Sequence, residues 1–266
     1  MSYLDKIVAH HKMRASEDKR DLDQLVEAAL RLPRPRGFAA TIAKRSREDG
    51  QLAVIAEFKK RSPSKGSLVA QDFDVAAQIM AYDEADAVGM SVLTDKEFFD
   101  GSIDDLSAAR QVTTRPLLRK DFVVDERDVV DVRRYGGDMV LLIAAALDPS
   151  QLVRFSKLAH EIQLDVLIEI HSESELDATM AADPDVVGIN QRDLTTFEVD
   201  TARASLVRES IPREVVTVAE SGVAAVEDAH VLRDCGFDAV LVGELLMKSG
   251  DPRRVIQQMT VRNRLL

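Results

Sequence analysis

Short apolar segments that end in charged or polar side chains recur along this chain of 266 residues. The first segment, 52–56, opens into Glu57, Phe58 and a basic loop that begins at Lys59. The same change from apolar to polar follows at 117–121, 166–169, 187–190, 216–222 and 240–244. Each segment is rich in Val, Ile and Leu, as parallel strands covered by helices on both faces usually are. Functional groups at the carboxyl ends of successive buried strands are typical of barrel enzymes.

The apolar segments alternate with helical patterns along the chain. We predict strands near 52–58, 88–93, 116–120, 138–143, 165–169, 186–190, 215–219 and 239–242. We predict helices near 72–84, 102–112, 125–135, 149–161, 173–181, 201–209, 223–234 and 252–261. Capping residues precede or begin five of them: Asp72, Ser102, Asp125, Asp148 and Asp251. This alternation predicts an α/β fold, a closed (β/α)8 TIM barrel. A doubly wound open sheet is the alternative, but its glycine-rich phosphate fingerprint is absent from the sequence.

Residues 1–50 precede the first predicted strand and exceed what a minimal barrel needs. Apolar spacing predicts one helix over Tyr3–Ala15 and a second over Asp21–Leu30, which the following prolines end. We predict that 1–50 form an N-terminal helical extension within the same domain as the barrel, 51–266. This extension is a lid, a plug or a small addition to the fold.

Composition restricts the kind of protein that this chain is. It is 45% hydrophobic and carries a net charge of -11 without a dense basic stripe, so we expect no nucleic-acid partner. No uninterrupted apolar run of about 20 residues occurs, which argues against a membrane span, and the N-terminus lacks the apolar region of a secretory signal. The single cysteine, Cys235, fits a reducing, cytoplasmic location. We expect a monomer, because no apolar interface stripe is visible.

Charged residues at the predicted strand ends are the first candidates for chemistry. Glu57 and Lys59 are two residues apart, so both side chains point toward one face, and a structural ion pair is the competing interpretation. Lys120 is either a surface lysine or a general acid held by a carboxylate. Glu169 follows the apolar run Val166–Ile168, and it is either a buried structural glutamate or a functional one. Convergence of acidic and basic groups from different strands favours function, because burying unpaired charge is costly.

Two further groups of residues follow strands near the same predicted edge. The segments 220–222 and 243–244 contain glycines after the last two strands, where barrel enzymes commonly bind phosphate through backbone N–H groups. Ordinary turns are the alternative. Apolar residues near strand ends are either core or the wall of a pocket for a ring-bearing substrate: Phe99, Phe122, Leu141 and Leu194.

Histidine and cysteine point to no metal site and no nucleophile. His171 is two residues from Glu169, but no third ligand with suitable spacing appears, so we predict no metal. His10 and His11 lie on the leading helix and offer little. Cys235 lies just before the eighth strand, away from the strand ends, and is predicted to be a packed thiol.

Several of these segments together resemble the indole-3-glycerol phosphate synthase family. The matching segments include IAEFKKRSPSKG, LLRKDFVVD, LIEIHSESEL, GINQRDLTTFEVD, VAESGV and VLVGELLM. The resemblance extends over essentially the whole chain, including the leading helix. It implies an enzyme of tryptophan biosynthesis that acts on 1-(2-carboxyphenylamino)-1-deoxyribulose 5-phosphate. The products would be indole-3-glycerol phosphate, carbon dioxide and water, formed without a metal or an organic cofactor.

The resemblance also implies a role for each candidate residue. Lys120 matches the general acid that protonates the ketone oxygen, and Glu169 matches the general base that assists dehydration. Lys59 matches a lysine that contacts the substrate carboxylate. The residues that match orienting polar groups are Glu57, Asn190 and Glu220. Those that match the substrate and phosphate cradle are Ser62, Arg192, Ser221, Gly222, Gly243 and Glu244, the last through its backbone N–H. The anthranilate pocket is matched by Phe99, Phe122, Leu141 and Leu194.

Three positions depart from the pattern expected of the family. Gln191 replaces a smaller residue or an asparagine, Asp86 stands where a glycine commonly precedes the second strand, and Glu244 stands where some members have serine. Only the last touches the predicted phosphate cradle, where a hydroxyl contact would be lost.

Three other functions compete with the synthase. Phosphoribosylanthranilate isomerase would need a Cys/Asp acid–base pair, and Cys235 is in the wrong place for one. A non-catalytic phosphate-binding barrel should have lost Lys120 or Glu169, and both are present. A scaffold that binds proteins through its leading helices should expose apolar residues there, but the segment 3–30 is rich in charged residues.

Overall fold

The computed structural model describes residues 2–62, 66–68, 74–192 and 199–260, apart from the side chain of Ala202. Within these ranges, parallel strands form a closed barrel in which each strand pairs with the next and the last returns to the first. This arrangement confirms the predicted (β/α)8 TIM barrel. Its strands are β1 (Ala53–Phe58), β2 (Gly89–Leu93), β3 (Leu117–Lys120), β4 (Met139–Ile143), β5 (Asp165–Ile170), β6 (Val186–Asn190), β7 (Val216–Glu220) and β8 (Ala239–Val242).

Three helices precede the barrel, and the others follow its strands. The leading helices are α1 (Tyr3–Glu17), α2 (Leu22–Leu30) and α3 (Phe38–Ala43), which continues as a π-helical turn, Lys44–Glu48. The later helices are α4 (Val75–Glu84), α5 (Lys96–Phe99), α6 (Ile103–Val112), α7 (Glu126–Arg134), α8 (Pro149–Glu161), α9 (Leu176–Ala181), α10 (Thr201–Glu209), α11 (Val226–Asp234), α12 (Glu244–Lys248) and α13 (Pro252–Met259). A short antiparallel hairpin, Arg61–Ser62 with Gly66–Ser67, extends the loop after β1.

The predicted elements agree with those of the structure to within about three residues at most ends. Four of the five predicted caps are observed at helix N-termini, namely Ser102, Asp125, Asp148 and Asp251. Asp72 lies outside the described residues, and α4 instead begins after Asp74, whose side chain accepts a hydrogen bond from the Ala77 N–H. The sequence analysis missed the short helices α3, α5 and α12, because four to six residues carry too little apolar periodicity to predict a helix.

Side chains alternate along the strands between the barrel interior and the surrounding helices, as the two-residue period of a strand requires. One apolar cluster fills the interior and includes Ile55, Leu141 and Leu167. A larger cluster lies between the strands and the helices and includes Val54 and Val140. Both faces of each strand are therefore buried, which explains the nearly continuous apolar runs in the sequence.

The leading segment runs from one end of the barrel to the other. We call the carboxyl ends of the strands the mouth and their amino ends the floor. Helix α1 lies at the mouth, where Tyr3, Leu4 and Ile7 line the central cavity. Helix α2 packs on α7, where the buried Arg133 donates hydrogen bonds to the carbonyl oxygens of Ala29 and Leu32.

Helix α3 closes the floor. Phe38 and Ile42 are fully buried in the interior cluster. The ring of Phe38 lies so close to Gly89 that a Cβ atom there would collide with it. The leading segment is thus a plug at the floor and a wall of the cavity at the mouth. It therefore combines features of the plug and of the lid, two of the three possibilities that the sequence left open. No helix in the described part of the chain is long and apolar enough to cross a membrane.

Candidate active site

A cavity of about 620 Å³ opens at the mouth of the barrel. Its walls come from α1, from the strand ends and from the loops that follow them. The cavity brings together fifteen of the predicted site residues: Glu57, Lys59, Ser62, Phe99, Lys120, Phe122, Leu141, Glu169, Asn190, Arg192, Glu220, Ser221, Gly222, Gly243 and Glu244. The remaining predicted residue, Leu194, lies outside the described part of the chain. Strand ends 100 residues apart in sequence converge here because the barrel is closed.

Lys120 lies between two buried carboxylates at the centre of the cavity. Its Nζ is 2.6 Å from Oε2 of Glu169 and 2.8 Å from Oε2 of Glu220. Both glutamate side chains are 2% exposed, whereas Lys120 is 14% exposed and reaches the cavity. Burial alone would lower the pKa of Lys120, but the Glu169 and Glu220 carboxylates outweigh it and raise this pKa. Lys120 is therefore an ammonium ion at neutral pH.

The two glutamates have different environments. Burial opposes ionisation of Glu169, but Lys120, His171 and a 3.0 Å hydrogen bond from Asn190 Nδ2 lower its pKa to about 2. For Glu220, burial and the neighbouring Glu169 charge prevail over Lys120 and raise the pKa to about 8. Oε1 of Glu220 has no hydrogen-bond partner among the described residues. Glu169 is thus ionised at neutral pH, whereas Glu220 holds a proton more tightly than an ordinary glutamate does.

A second ion pair lies on β1, at the edge of the same cavity. Oε2 of Glu57 contacts Nζ of Lys59, and the side chains are 6% and 19% exposed. Gly243 lies against this pair, and a Cβ atom at that position would collide with the Glu57 carboxylate. The glycine after β8 therefore makes room for two charged side chains, a reason that the sequence did not reveal.

Backbone geometry is unusual in the loop after β7. Ser221 and Gly222 both have left-handed φ angles, +63° and +80°. Gln191 is buried, and its Nε2 donates a 2.8 Å hydrogen bond to the carbonyl oxygen of Ser221. One of the three departures from the family pattern thus supports the loop that was predicted to hold phosphate. Asp86 has a left-handed φ of +64°, which explains why glycine suits that position.

An apolar wall faces the charged groups across the cavity. The rings of Phe99 and Phe122 have centroids 6.1 Å apart, and Leu141 lies on the same lining. Helix α1 adds Tyr3, Leu4 and Ile7, which the sequence analysis did not include. The sequence analysis named a lid as only one of three possibilities for this segment, because the path of the leading segment is a tertiary property.

Three more polar side chains near the cavity were missed or given little weight. Lys248 on α12 lines the cavity, and its Nζ is 2.6 Å from Oε1 of Glu244. Nε2 of His171 is 3.5 Å from Oε1 of Glu169. His11 is buried, with Nε2 2.8 Å from Oδ2 of Asp95. Cys235 ends α11 and accepts a hydrogen bond from Ser205 Oγ, and it packs against the outer core as predicted.

A closed barrel with an ammonium ion and carboxylates at its mouth defines a class, the (β/α)8-barrel enzymes that act on small anionic substrates. Comparison with known proteins identifies the family within this class. The model of the family named indole-3-glycerol phosphate synthase matches residues 4–259. The chain belongs to that family, so it is a carboxy-lyase of tryptophan biosynthesis.

Relatives of this chain carry the same name. An indole-3-glycerol phosphate synthase of Chloroherpeton thalassium is 41% identical over 251 residues, which cover 94% of this chain and 96% of that protein. The protein named indole-3-glycerol phosphate synthase 2 of Streptomyces coelicolor is 44% identical over 234 residues, 88% of each chain. A thiamine phosphate pyrophosphorylase from Pyrococcus furiosus has a TM-score of 0.57 at 16% identity and covers 78% of this chain and 93% of its own. The last likeness shows the barrel fold alone.

Proposed function

We propose that this chain converts 1-(2-carboxyphenylamino)-1-deoxyribulose 5-phosphate to indole-3-glycerol phosphate, carbon dioxide and water, with Lys120 as the general acid of ring closure. The observation that carries this proposal is the position of Lys120, an ammonium ion held by Glu169 and Glu220 and still open to the cavity. The family of the chain supports the same reaction.

Ring closure requires a proton donor at the ketone. The ring carbon that bears the carboxylate attacks the ketone carbon, and negative charge develops on the ketone oxygen. An ammonium group held in place by Glu169 and Glu220 stabilises that charge with little reorganisation and then transfers its proton to the oxygen. Lys120 fits this role because its charge is secured by Glu169 and Glu220, while its side chain remains partly exposed to the cavity.

Decarboxylation and dehydration follow. Loss of carbon dioxide restores the aromatic ring, and loss of the new hydroxyl as water, with one proton, forms the indole. We assign Lys59 to the substrate carboxylate and to proton donation in the last step, with Glu57 holding it in place. Glu169 is the base of dehydration, and its lowered pKa means that it is ionised before the step begins. Asn190 and Glu220 orient these groups.

The two halves of the substrate match two sides of the cavity. The loops after β7 and β8 would hold the phosphate, through Ser221, Gly222, Gly243 and the backbone N–H of Glu244, with Ser62 and Arg192 beside them. The carboxylate of Glu244 bonds Lys248 instead, which reduces its repulsion of an anion. The wall of Phe99, Phe122 and Leu141, with Leu194 as a further member, would hold the anthranilate ring.

The remaining parts of the proposal concern the state of the protein. We propose a cytoplasmic monomer that binds no nucleic acid and needs no metal, because Lys120 supplies the positive charge that ring closure requires. The extension, 1–50, and the barrel, 51–266, would form one domain, since Phe38 and Ile42 belong to the interior core of the barrel.

Turnover of the substrate, followed by indole fluorescence, tests the function. The chain contains no tryptophan, so emission from the product would rise from a low protein background. We expect saturable indole formation without added metal. Tight binding without product would indicate a non-catalytic barrel, and neither binding nor product would refute the assigned substrate.

A further inference from the structure

His11 is a buried histidine that the reaction described above does not use. It lies on α1 and is 4% exposed, although the sequence places it in a leading segment that is rich in charged residues. Its Nε2 is 2.8 Å from Oδ2 of Asp95, and Asp95 is 3% exposed. A hydrogen bond between two buried side chains 84 residues apart ties α1 to the loop after β2. Such a bond is costly to break, because either partner would be left buried and unsatisfied.

The other oxygen of Asp95 holds one side of the aromatic wall. Oδ1 accepts hydrogen bonds from the N–H groups of Phe98, at 2.7 Å, and Phe99, at 3.1 Å, as the N-cap of α5. Helix α5 has four residues, too few to be stable alone, so its position depends on its cap. His11 therefore acts on Phe99 through Asp95.

His11 also holds the second side of the wall directly. Its ring packs on Phe122 with centroids 5.6 Å apart, and Phe122 lies beside Phe99. Nε2 is also 3.9 Å from Oδ1 of Asp121, the residue after Lys120. One side chain from the leading helix thus contacts both loops that supply the aromatic wall.

A metal site is the competing interpretation of this cluster, because ligand atoms of His11, Asp95 and Asp121 lie within 4.8 Å of one another. The carboxylate oxygens, however, already accept protein hydrogen bonds. Oδ1 of Asp95 accepts the two N–H groups of α5, and Oδ2 of Asp121 accepts bonds from Thr94 and Arg119 at 2.6 Å. Oδ1 of Asp121 accepts the N–H of Phe122. A cation would have to displace these donors, so the geometry favours a hydrogen-bonded clamp.

We propose that His11 is a positioning residue that sets the aromatic wall and makes α1 a specificity element for the ring-bearing half of the substrate. This inference rests on the proposed function, since it assumes that the wall binds an aromatic amine. It requires that His11 affect binding of the ring but not binding of the phosphate, because its contacts reach Phe99 and Phe122 and not the loops after β7 and β8.

Two substitutions separate the hydrogen bond from simple packing. His11→Leu removes the donor and keeps an apolar side chain. His11→Gln places an amide N–H near the position of Nε2 and keeps the bond to Asp95. Calorimetry would measure binding of 2-aminobenzoate, which carries the ring, and of glycerol 3-phosphate, which carries the phosphate.

We expect His11→Leu to weaken binding of 2-aminobenzoate about tenfold, which is roughly the effect of one lost buried hydrogen bond. The affinity for glycerol 3-phosphate should stay within about twofold of that of the unmodified protein. His11→Gln should stay within about threefold for both ligands. If His11→Leu does not fold, Asp95→Asn replaces it. With its amide group turned toward His11, the asparagine keeps an oxygen to cap α5 but no longer offers an acceptor to His11. This variant should show the same selective loss of 2-aminobenzoate binding. Equal weakening of both ligands, or of neither, in a folded variant would overturn the inference.

His160→Leu is the matched control. His160 forms a similar pair with Asp185, with Nε2 3.0 Å from Oδ2, at the other end of the barrel. This substitution should lower the melting temperature and leave both affinities unchanged. If His160→Leu selectively weakened 2-aminobenzoate, the effect of His11 would not be specific. If the unmodified protein neither bound these ligands nor turned over the substrate, the proposed function and the inference would both be wrong. Normal turnover with no selective effect of His11→Leu on 2-aminobenzoate binding would refute the inference alone.

Discussion

The mouth and the floor of the barrel both carry buried carboxylates beside strand ends, but they use them differently. At the floor, three aspartates each accept a hydrogen bond from a backbone N–H of the preceding strand in chain order: Asp138 from Leu117, Asp185 from Val166 and Asp238 from Thr217. At the mouth, Glu169 and Glu220 bond the side chain of Lys120 instead.

The hydrogen-bond partners of the floor aspartates also differ from those at the mouth. The leading segment supplies additional donors there, the N–H of Arg36 to Asp138 and the guanidinium of Arg47 to Asp238. Each of the three aspartates is thus anchored to a backbone N–H group, and Asp138 and Asp238 are buried. The mouth offers an ammonium group that reaches a cavity and an oxygen of Glu220 that has no hydrogen-bond partner among the described residues. Charge at a strand end is structural where rigid donors enclose it and chemical where a mobile proton and open space remain.

The largest effect should come from removing the central ammonium at the mouth. Lys120→Ala should lower kcat by about two to four orders of magnitude, with a smaller change in KM, because a general acid is lost. Indole fluorescence would measure it. Lys157→Ala, at an exposed position on α8, is the control and should keep normal turnover. An unchanged kcat in Lys120→Ala would contradict the role of Lys120.

A core substitution at the floor should show the opposite pattern. Phe38→Ala should reduce the free energy of unfolding by about 3–5 kcal/mol, because a fully buried ring is replaced by a cavity. Denaturant unfolding would measure it. Where the variant is still folded, kcat should stay within about twofold, since the groups that move protons lie at the mouth. A large loss of kcat in the folded variant would show that the two ends are coupled.

Gly243→Ala tests whether the mouth is as tightly packed as the structure shows. The added Cβ would meet the Glu57 carboxylate and displace Lys59, so kcat/KM should fall about tenfold, with kcat and KM both affected. Gly250→Ala has open space around it and should behave as the unmodified protein. A change in KM alone would mean that Gly243 serves only the phosphate.

The smallest effect concerns pH. The pKa of Glu220 is raised from 4.5 to about 8, so the stability that its neutral form contributes is present below about pH 4.5 and is lost as pH rises through about 8. Glu220→Gln stays neutral, so its melting temperature relative to the unmodified protein should rise by several degrees between pH 5 and pH 9. Thermal melts would measure it. Glu48→Gln, at an exposed position at the floor, is the control. If the melting temperatures of Glu220→Gln and of the unmodified protein changed in parallel with pH, the raised pKa of Glu220 would be contradicted.

Much of the barrel and of the candidate site followed from local patterns. Buried parallel strands are apolar on both faces, so their ends are visible where Glu57, Lys120 and Glu169 interrupt the runs. The family resemblance then supplied roles for these residues. Short elements were missed for a local reason, since α5 and α12 are too brief to show a helical period.

Other features had no local signal at all. Tyr3 and His11 belong to the mouth only because the leading segment crosses it before it descends along α7 to the floor. The different pKa shifts of Glu169 and Glu220 depend on how burial is balanced by Lys120, which contacts both, and by His171 and Asn190, which lie beside Glu169.

The sequence by itself determined the alternation of strands and helices, the closure of eight repeats and the residue types at the strand ends. These are properties of period and composition, which neighbouring residues along the chain express. Only the tertiary structure decided which carboxylates are enclosed by backbone donors, which share Lys120, and which end of the barrel each leading helix covers. Those outcomes depend on distances between residues far apart in sequence, and burial, charge and hydrogen bonding take effect only once such residues are brought together.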